Sequence, residues 1–339
     1  MTALLTPAYR LTIGKHRVDT TVEPKASATT DLIVTLDIDA LPDTAKLTLG
    51  QVGGIAPALD DTATIELGYA DNGGFIQVFT GTVDTFDANL LVRRVAATST
   101  ARALMRLFVD QSYEGRTAGQ IVRDLAGRAR IDTGAIDDGI GFPVYVIESR
   151  KSALAHIREL AALCGVDAYV DAEGRLVFQA FTQGRVIHDV DYAKQVLSLG
   201  IDRLANSDVN VKAFGESPMA QAGSEAWGWL TKDFSPAAGS AGSGPLPIVV
   251  ERSALRTASA AATAASAALR AVQRRAVHGR VRMPGRPEVK LGDALRVRDV
   301  PRDGFNDSYQ VRRVVHRITK PEGFTTTVDF AAIPSEALR

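Results

Sequence analysis

Five histidines, one cysteine and a few neighbouring carboxylates are the groups in this sequence that invite a catalytic reading. His16, His156, His188, His278 and His316 are scattered, and none falls at metal-ligand spacing from another or from Cys164. Cys164 stands at the end of a predicted helix, where the dipole disfavours a thiolate, so it reads as a small core residue. Glu159 with Asp167, or Asp137 with Asp138, would be the pairs for acid–base work, which needs two carboxyls in different environments on one cleft. Asp137-Asp138-Gly139 is more simply a turn, and Glu159 a helix-surface residue. There is no GxSxG, no P-loop and no dinucleotide fingerprint, and the glycine-rich Gly50-Gln51-Val52-Gly53-Gly54 lacks a strand–helix context for phosphate. The expectation is a non-enzymatic protein without cofactor or metal.

Arginine is the residue type that clusters. Arg270, Arg274, Arg275, Arg280, Arg282 and Arg286 crowd the end of an alanine-rich helix and the strand after it. Three readings stand: a solvated helix end where cations suit the dipole, a surface for an acidic protein face, or a path for nucleic acid. The cluster lacks interleaved aromatics, which weakens the last and predicts no sequence-specific nucleic-acid binding. The whole chain of 339 residues is balanced, with 39 basic and 39 acidic side chains. Yet residues 1–250 carry 22 basic against 30 acidic, and residues 251–339 carry 17 against 9. Such a division is either two solvated surfaces of different sign or an assembly in which an acidic face meets a neighbour's basic one. Trp227 and Trp229 flank Gly228; exposed they would anchor a partner, buried they would pin the segment to a core, and burial is favoured.

The elements that must carry these groups are mainly strands. Tyr9, Leu11 and Ile13 alternate, as do Leu32, Val34, Leu36 and Ile38, and then Ile65, Leu67 and Tyr69. Asp71-Asn72-Gly73-Gly74 signals a hairpin, and residues 75–99 continue the meander. Thr117-Ala118-Gly119-Gln120 is a capping box opening a helix with Ile121, Val122, Leu125 and Ala126 on its apolar face. Ser152 caps a second helix that ends at Gly165, and residues 166–181 form a hairpin. Residues 236–247, rich in Gly, Ala, Ser and Pro, read as a flexible linker, and residues 253–277 as an alanine-rich helix with little bulk to bury. From residue 285 three strands follow, with turns at Gly292-Asp293, at Pro301 to Asn306 and at Pro321-Glu322-Gly323. The expected class is α+β, mainly β. Its parts are a β unit at 1–105, a helix-plus-hairpin domain at 106–182, a second β unit split into 183–215 and 278–339, and an insertion at 216–277 carrying the linker and the helix. No run of apolar residues is long enough for a membrane span, the start lacks a signal-peptide core, and one cysteine excludes an internal disulfide. Synthesis and folding in a bacterial cytoplasm are expected.

Four stretches, in this order, resemble the phage late-control D family, the hub proteins of contractile tails, and the similar front half of type VI secretion VgrG spike proteins. They are Gly81-Thr82-Val83-Asp84, the helix start Thr117-Ala118-Gly119-Gln120-Ile121-Val122, and the helix–Gly–hairpin block SALAHIRELAALCGVDAYVDAEGRLVF at 152–178. The fourth is a closing block with Gly285 and Pro287, Leu291-Gly292-Asp293, Tyr309 and Val311, His316, and Gly323-Phe324 with Thr326. The resemblance implies two tube-type β-barrels, the second one split, around the helix-containing domain. It also implies a homotrimeric baseplate hub that adapts a sixfold tail tube, or a tube-initiator ring, to a threefold central spike. Partners would then be two further copies, the tube protein, the spike and other baseplate proteins of a virion or phage-tail-like particle. Longer relatives continue into a spike; this chain stops at Arg339, so a separate spike protein is expected. Within this frame Arg270, Arg274, Arg275, Arg280 and Arg282, joined by Arg312, Arg313 and Arg317, are candidate protein-interface residues. Gly285, Pro287, Gly292 and Asp293 are candidate structural turns. The competing readings are a tail-associated cell-wall hydrolase, which needs a convergent catalytic set, and a monomeric surface-binding β module, which needs exposed aromatic platforms.

Overall fold

The computed structural model of the protein describes residues 5–22, 29–39, 42–50, 55–72, 74–88, 91–181, 186–205, 208–215, 238–301 and 304–334. The first β unit contains β1 (Pro7–Ile13), β2 (His16–Asp19), β3 (Thr29–Asp37), β4 (Thr44–Gly50), β5 (Thr62–Tyr69), β6 (Phe75–Ala88) and β7 (Val92–Ser99). The helical part follows with α1 (Ala101–Arg106), β8 (Gln111–Thr117), α2 (Ala118–Ala129), β9 (Thr133–Ile136), β10 (Gly141–Ile147), α3 (Ala153–Cys164), β11 (Asp167–Val170) and β12 (Leu176–Gln179). Next come β13 (Ile187–Asp191), α4 (Tyr192–Gln195), β14 (Ser198–Arg203), β15 (Val209–Phe214), β16 (Gly239–Ala241), β17 (Leu246–Glu251) and α5 (Ala258–Arg275). The chain closes with β18 (Val277–Pro284), β19 (Ala294–Arg298), β20 (Ser308–Thr319) and β21 (Gly323–Ala332). The protein is α+β and mainly β, as its alternating patterns predict.

A single 13-stranded ladder runs through both β units in the order β14-β18-β21-β20-β3-β4-β7-β6-β5-β1-β2, with β19 on β20 and β13 on β19. β20 is the seam. Arg313 to Thr319 pair antiparallel with Asp37 to Asp31 of β3, while the same strand pairs with β21 on its other side. Flanked on both edges, β20 has buried residues at seven of its inward and outward positions rather than on one clean face. The two arginines of Val311-Arg312-Arg313-Val314 sit between two core valines, which strict alternation cannot satisfy. A β-bulge between Val311 and Arg313 absorbs the extra residue and re-aims Arg312.

Two cores lie under these elements. The larger joins both β units through Leu11, Leu32, Leu47, Ile65, Val281, Val314, Val328 and Phe330. The second gathers the helices: Ile121, Leu125, Ile157, Leu160 and Phe178 with Val211, Leu255, Ala261 and Ala265. The helix caps match their sequence signatures. Thr117 and Gln120 form a complete capping box, and Gly165 closes α3 at φ +70°.

Two expectations are corrected. Val209–Phe214 leaves the split β unit; it is the centre of a separate sheet, antiparallel to β16 and parallel to β17, packed under α5. The expected linker at 236–247 carries, over its described residues 238–247, the strand β16 and the start of β17, joined by an irregular turn. Its glycines serve close approach instead of flexibility: a Cβ on Gly239 would stand 2.2 Å from the backbone of Ala261 and Ala262, and one on Gly244 1.9 Å from Asp208. The alanine face of α5, Ala260, Ala261, Ala264, Ala265 and Ala267, is buried against that sheet. Trp227 and Trp229, loop residues 51–54, Gly73 and Asp303 lie outside the described residues.

Candidate functional site

The eight candidate interface arginines divide into three groups. Arg312 is buried, so its place in a tube wall or subunit contact is corrected: desolvation there is overcome by two carboxylates that hold its guanidinium protonated. Its Nη1 donates to Asp167 Oδ1 at 2.6 Å, and its Nε and Nη2 to the two oxygens of Asp39. Asp167, itself buried at the start of β11, also accepts from Gln310 Nε2 at 2.6 Å and from Arg274 Nη1 at 3.3 Å. One carboxylate thus ties β20 and α5 to the start of β11, and Arg312 adds Asp39, two residues past β3. Arg274 is mostly buried, and burial lowers its pKa against the pull of Asp167. Reversing it to glutamate would set two carboxylates together in a place largely shielded from water.

Arg280, Arg282, Arg313 and Arg317 project from one face of the β18–β21–β20–β3 sheet. Each meets an acid on the next strand or turn: Arg280 grips Asp329 at 2.5 and 2.9 Å, Arg282 reaches Glu322 at 2.9 Å, Arg313 lies between Asp37 and Asp329, and Arg317 pairs with Asp31. Val315, Ile33, Thr325 and Thr327 fill the spaces between them. Cross-strand pairs of opposite charge stabilise a sheet modestly and leave its face polar and largely self-neutralised. Arg270 and Arg275 form the third group. Arg270 lies over Gly165 at the C-terminus of α3, where a Cβ would come within 2.2 Å of its Nη2 and where a cation suits the helix dipole. Arg275 is exposed at the end of α5.

The candidate turn residues come together in one place. Gly285 N–H donates to Phe324 O, and a Cβ on Gly285 would fall 2.1 Å from the Phe324 ring. Tyr69 Oη donates to Gly285 O at 2.8 Å, bridging the two β units. Thr326 Oγ1 accepts from Arg286 N–H and contacts His316 Nδ1 at 3.0 Å. Burial pushes His316 down to about 3, so it is neutral and packs beside Phe324. Pro287 is buried beside this knot. Gly292 has φ +79°, and Asp293 Oδ2 accepts from Lys290 N–H and meets His188 Nε2 at 2.8 Å. The closing block is therefore a packing knot.

The catalytic candidates are dispersed. Burial raises the Cys164 thiol to about 11, and the sulfur accepts from Ile140 N–H. Glu159 pairs with Lys151 at the surface while Asp167 serves the arginine node, so they form no acid–base pair. Asp137 accepts from Ala180 N–H in a turn, and Asp138 pairs with Arg123. Among the described residues no group of three or more His, Cys, Asp or Glu side chains could hold a metal ion, and no helix is long and apolar enough to cross a membrane. Sequence reasoning missed Asp39 and Gln310, and set Asp167 aside. The available signal was a lone aspartate opening the apolar run Asp167-Ala168-Tyr169-Val170.

The fold defined by this seamed sheet and its helical second core is that of tail proteins from phages and related secretion machines. The tail protein of prophage MuSo2 from Shewanella oneidensis superposes with TM-score 0.70 at 15% identity, over 98% of this chain and 99% of that one. A tail protein from Neisseria meningitidis MC58 gives 0.72 at 13% identity, over 96% and 97%. The E. coli c3393 protein gives 0.62 at 10% identity, over 96% and 77%; it is a type VI secretion component with structural similarity to the T4 tail proteins gp27 and gp5. No family model and no curated protein matches the sequence.

Proposed function

We propose that this chain is the structural hub of a phage tail or phage-tail-like contractile particle. Three copies form a ring that adapts the hexameric tail tube, or its initiator ring, to a trimeric central spike within the baseplate. The observation that carries this reading is the end-to-end match to two tail proteins, which leaves almost no part of either fold unaccounted for. The seam of β20 with β3 supports it, because two β units fused in one protomer are what three copies need to present six similar units around an axis. The role is assembly without turnover, in keeping with a buried, protonated Cys164 and carboxylates consumed by arginines. Light scattering of the purified chain, alone and with its tube and spike proteins, tests the proposal. A mass of three copies is expected with the partners; a monomer that stays monomeric with both sinks it.

A further inference from the structure

Strand β17 keeps an open edge: among the described residues it is bonded only to β15. Leu246 N–H donates to Asp208 O at 3.3 Å and Arg252 N–H to Phe214 O at 3.1 Å, so the even-numbered residues of this parallel ladder face β15. Pro247, Val249 and Glu251 turn their backbone groups outward. Pro247 has no N–H to leave unpaired there, which suits an edge strand. The Glu251 carbonyl accepts from Arg252 Nη1 at 2.8 Å. The N–H and C=O of Val249, the Pro247 C=O and the Glu251 N–H are left for another strand. The side chains on this edge include exposed apolar ones, Leu246 at 53% and Val249 at 59%.

A groove runs beside that edge. It spreads over about 550 Å³ between α3, α5 and the face of β17 that carries Ile248 and Val250, and continues for about 300 Å³ past Arg252 toward β10. Six arginines and Lys151 line it against four carboxylates, those of Asp39, Glu148, Glu159 and Asp167. Every one of these acids is already held within the chain: Asp39 and Asp167 by Arg312, Glu159 by Lys151 and Glu148 by Arg150. Glu251, exposed at the end of β17, does not line the groove. Arg252, Arg256 and Arg275 meet no carboxylate at ion-pair distance among the described residues, unlike the paired arginines of the β18–β21–β20–β3 face.

An open strand edge, an apolar floor and three uncommitted guanidiniums together select an extended segment whose side chains alternate between acidic and apolar. The acids exposed on this chain's own β6–β7 hairpin do not supply one. Asp87 pairs with Arg94, and Asp84 and the neighbouring Asp60 pair with Arg102. That points to a different protein as the occupant.

We infer that β17 and its groove form a docking site for an extended acidic segment of a partner protein, which adds to the β16-β15-β17 sheet as a further strand beside β17. This goes beyond the hub reading, and its test on the purified full chain is decided whether or not copies form a ring. The measurement is fluorescence anisotropy with a labelled peptide of alternating glutamate and valine, set against its lysine–valine counterpart. The acidic peptide is expected to bind about tenfold more tightly, to weaken as salt rises, and to protect residues 246–251 from hydrogen–deuterium exchange. Arg252→Glu with Arg275→Glu, both on the exposed rim, is expected to reverse the preference. Val249→Pro removes an outward N–H that β15 does not use. It is expected to lower affinity for the acidic peptide about tenfold, with the charge and the circular-dichroism melt unchanged. The two variants are independent, so if one fails to fold the other still decides. Equal binding of the two peptides, or no binding of the acidic one, overturns the site. Wild-type affinity in Val249→Pro, or protection elsewhere than at 246–251, overturns strand addition. An oligothymidylate bound as tightly as the acidic peptide overturns a protein occupant in favour of a nucleic acid.

Discussion

In the main sheet, backbones are kept apart by leucine, isoleucine, valine and phenylalanine; under α5, alanine and glycine let backbones touch. Strands some 10 Å from a facing layer need bulky side chains to fill the gap at native packing density. A helix lying on a small sheet through alanines has no gap to fill, and any added carbon must displace backbone. The two regions of one chain therefore respond to opposite kinds of substitution. Composition is a poor guide to order here: the stretch that looks most like a linker contains some of the tightest contacts in the molecule.

The comparison is broken most severely at Gly239. Gly239→Val forces a side chain into the backbone of α5 and is expected to cost more than about 5 kcal/mol, read as loss of soluble, cooperatively melting protein. If Gly239→Val folds normally, the close helix–sheet contact is not what orders this region. Arg312→Met joins the two regions in one test, because the residue lies where both cores meet. It leaves Asp167 buried with fewer donors and is expected to cost about 3–5 kcal/mol by denaturant titration. The double variant Arg312→Met with Asp167→Asn is expected to recover a good part of that loss; no recovery would mean that the arginine acts through packing alone.

Asp43 sharpens the picture of the main sheet's rim. Burial, only partly offset by the hydrogen bond from Asp37 N–H, raises its carboxyl to about 7. A folded pKa above the unfolded value means the native state binds more protons between about 4 and 7, so its contribution falls as pH rises through that window. Asp43→Asn keeps an acceptor for Asp37 N–H and is expected to stabilise by about 1–3 kcal/mol at pH 7 and by little at pH 4. An equal gain at both pH values would refute the assignment. The smallest effect is expected at Arg280→Ala on the polar sheet face, less than about 1 kcal/mol by thermal melt, since the pair with Asp329 is largely solvated.

Much was legible in the residues themselves. The period-two runs of β1, β3 and β5 and the caps at Thr117, Ser152 and Gly165 depend on local sterics and hydrogen bonding, which neighbours in sequence already specify. The arginine clusters were legible as charge but not as function. Arg312 and Arg313 are adjacent and chemically identical; one became a buried clamp and the other a face residue because a bulge, set by pairing with distant strands, turned them apart.

The sequence by itself therefore determined the local elements, the mainly β class and the order of motifs that resembles tail hub proteins. Tertiary structure alone decided that β20 would seam the two β units through β3, and that residues 209–214 and 238–251 would form a sheet under α5. It also decided that Asp39, Asp167, Arg274 and Arg312 would share one node. Those outcomes depend on which surfaces meet across long stretches of chain, as in the 273-residue separation of Arg312 from Asp39 and the 107-residue separation of Arg274 from Asp167. Nothing in a local window carries that information, because burial and pairing of a charge are properties of its neighbours in space.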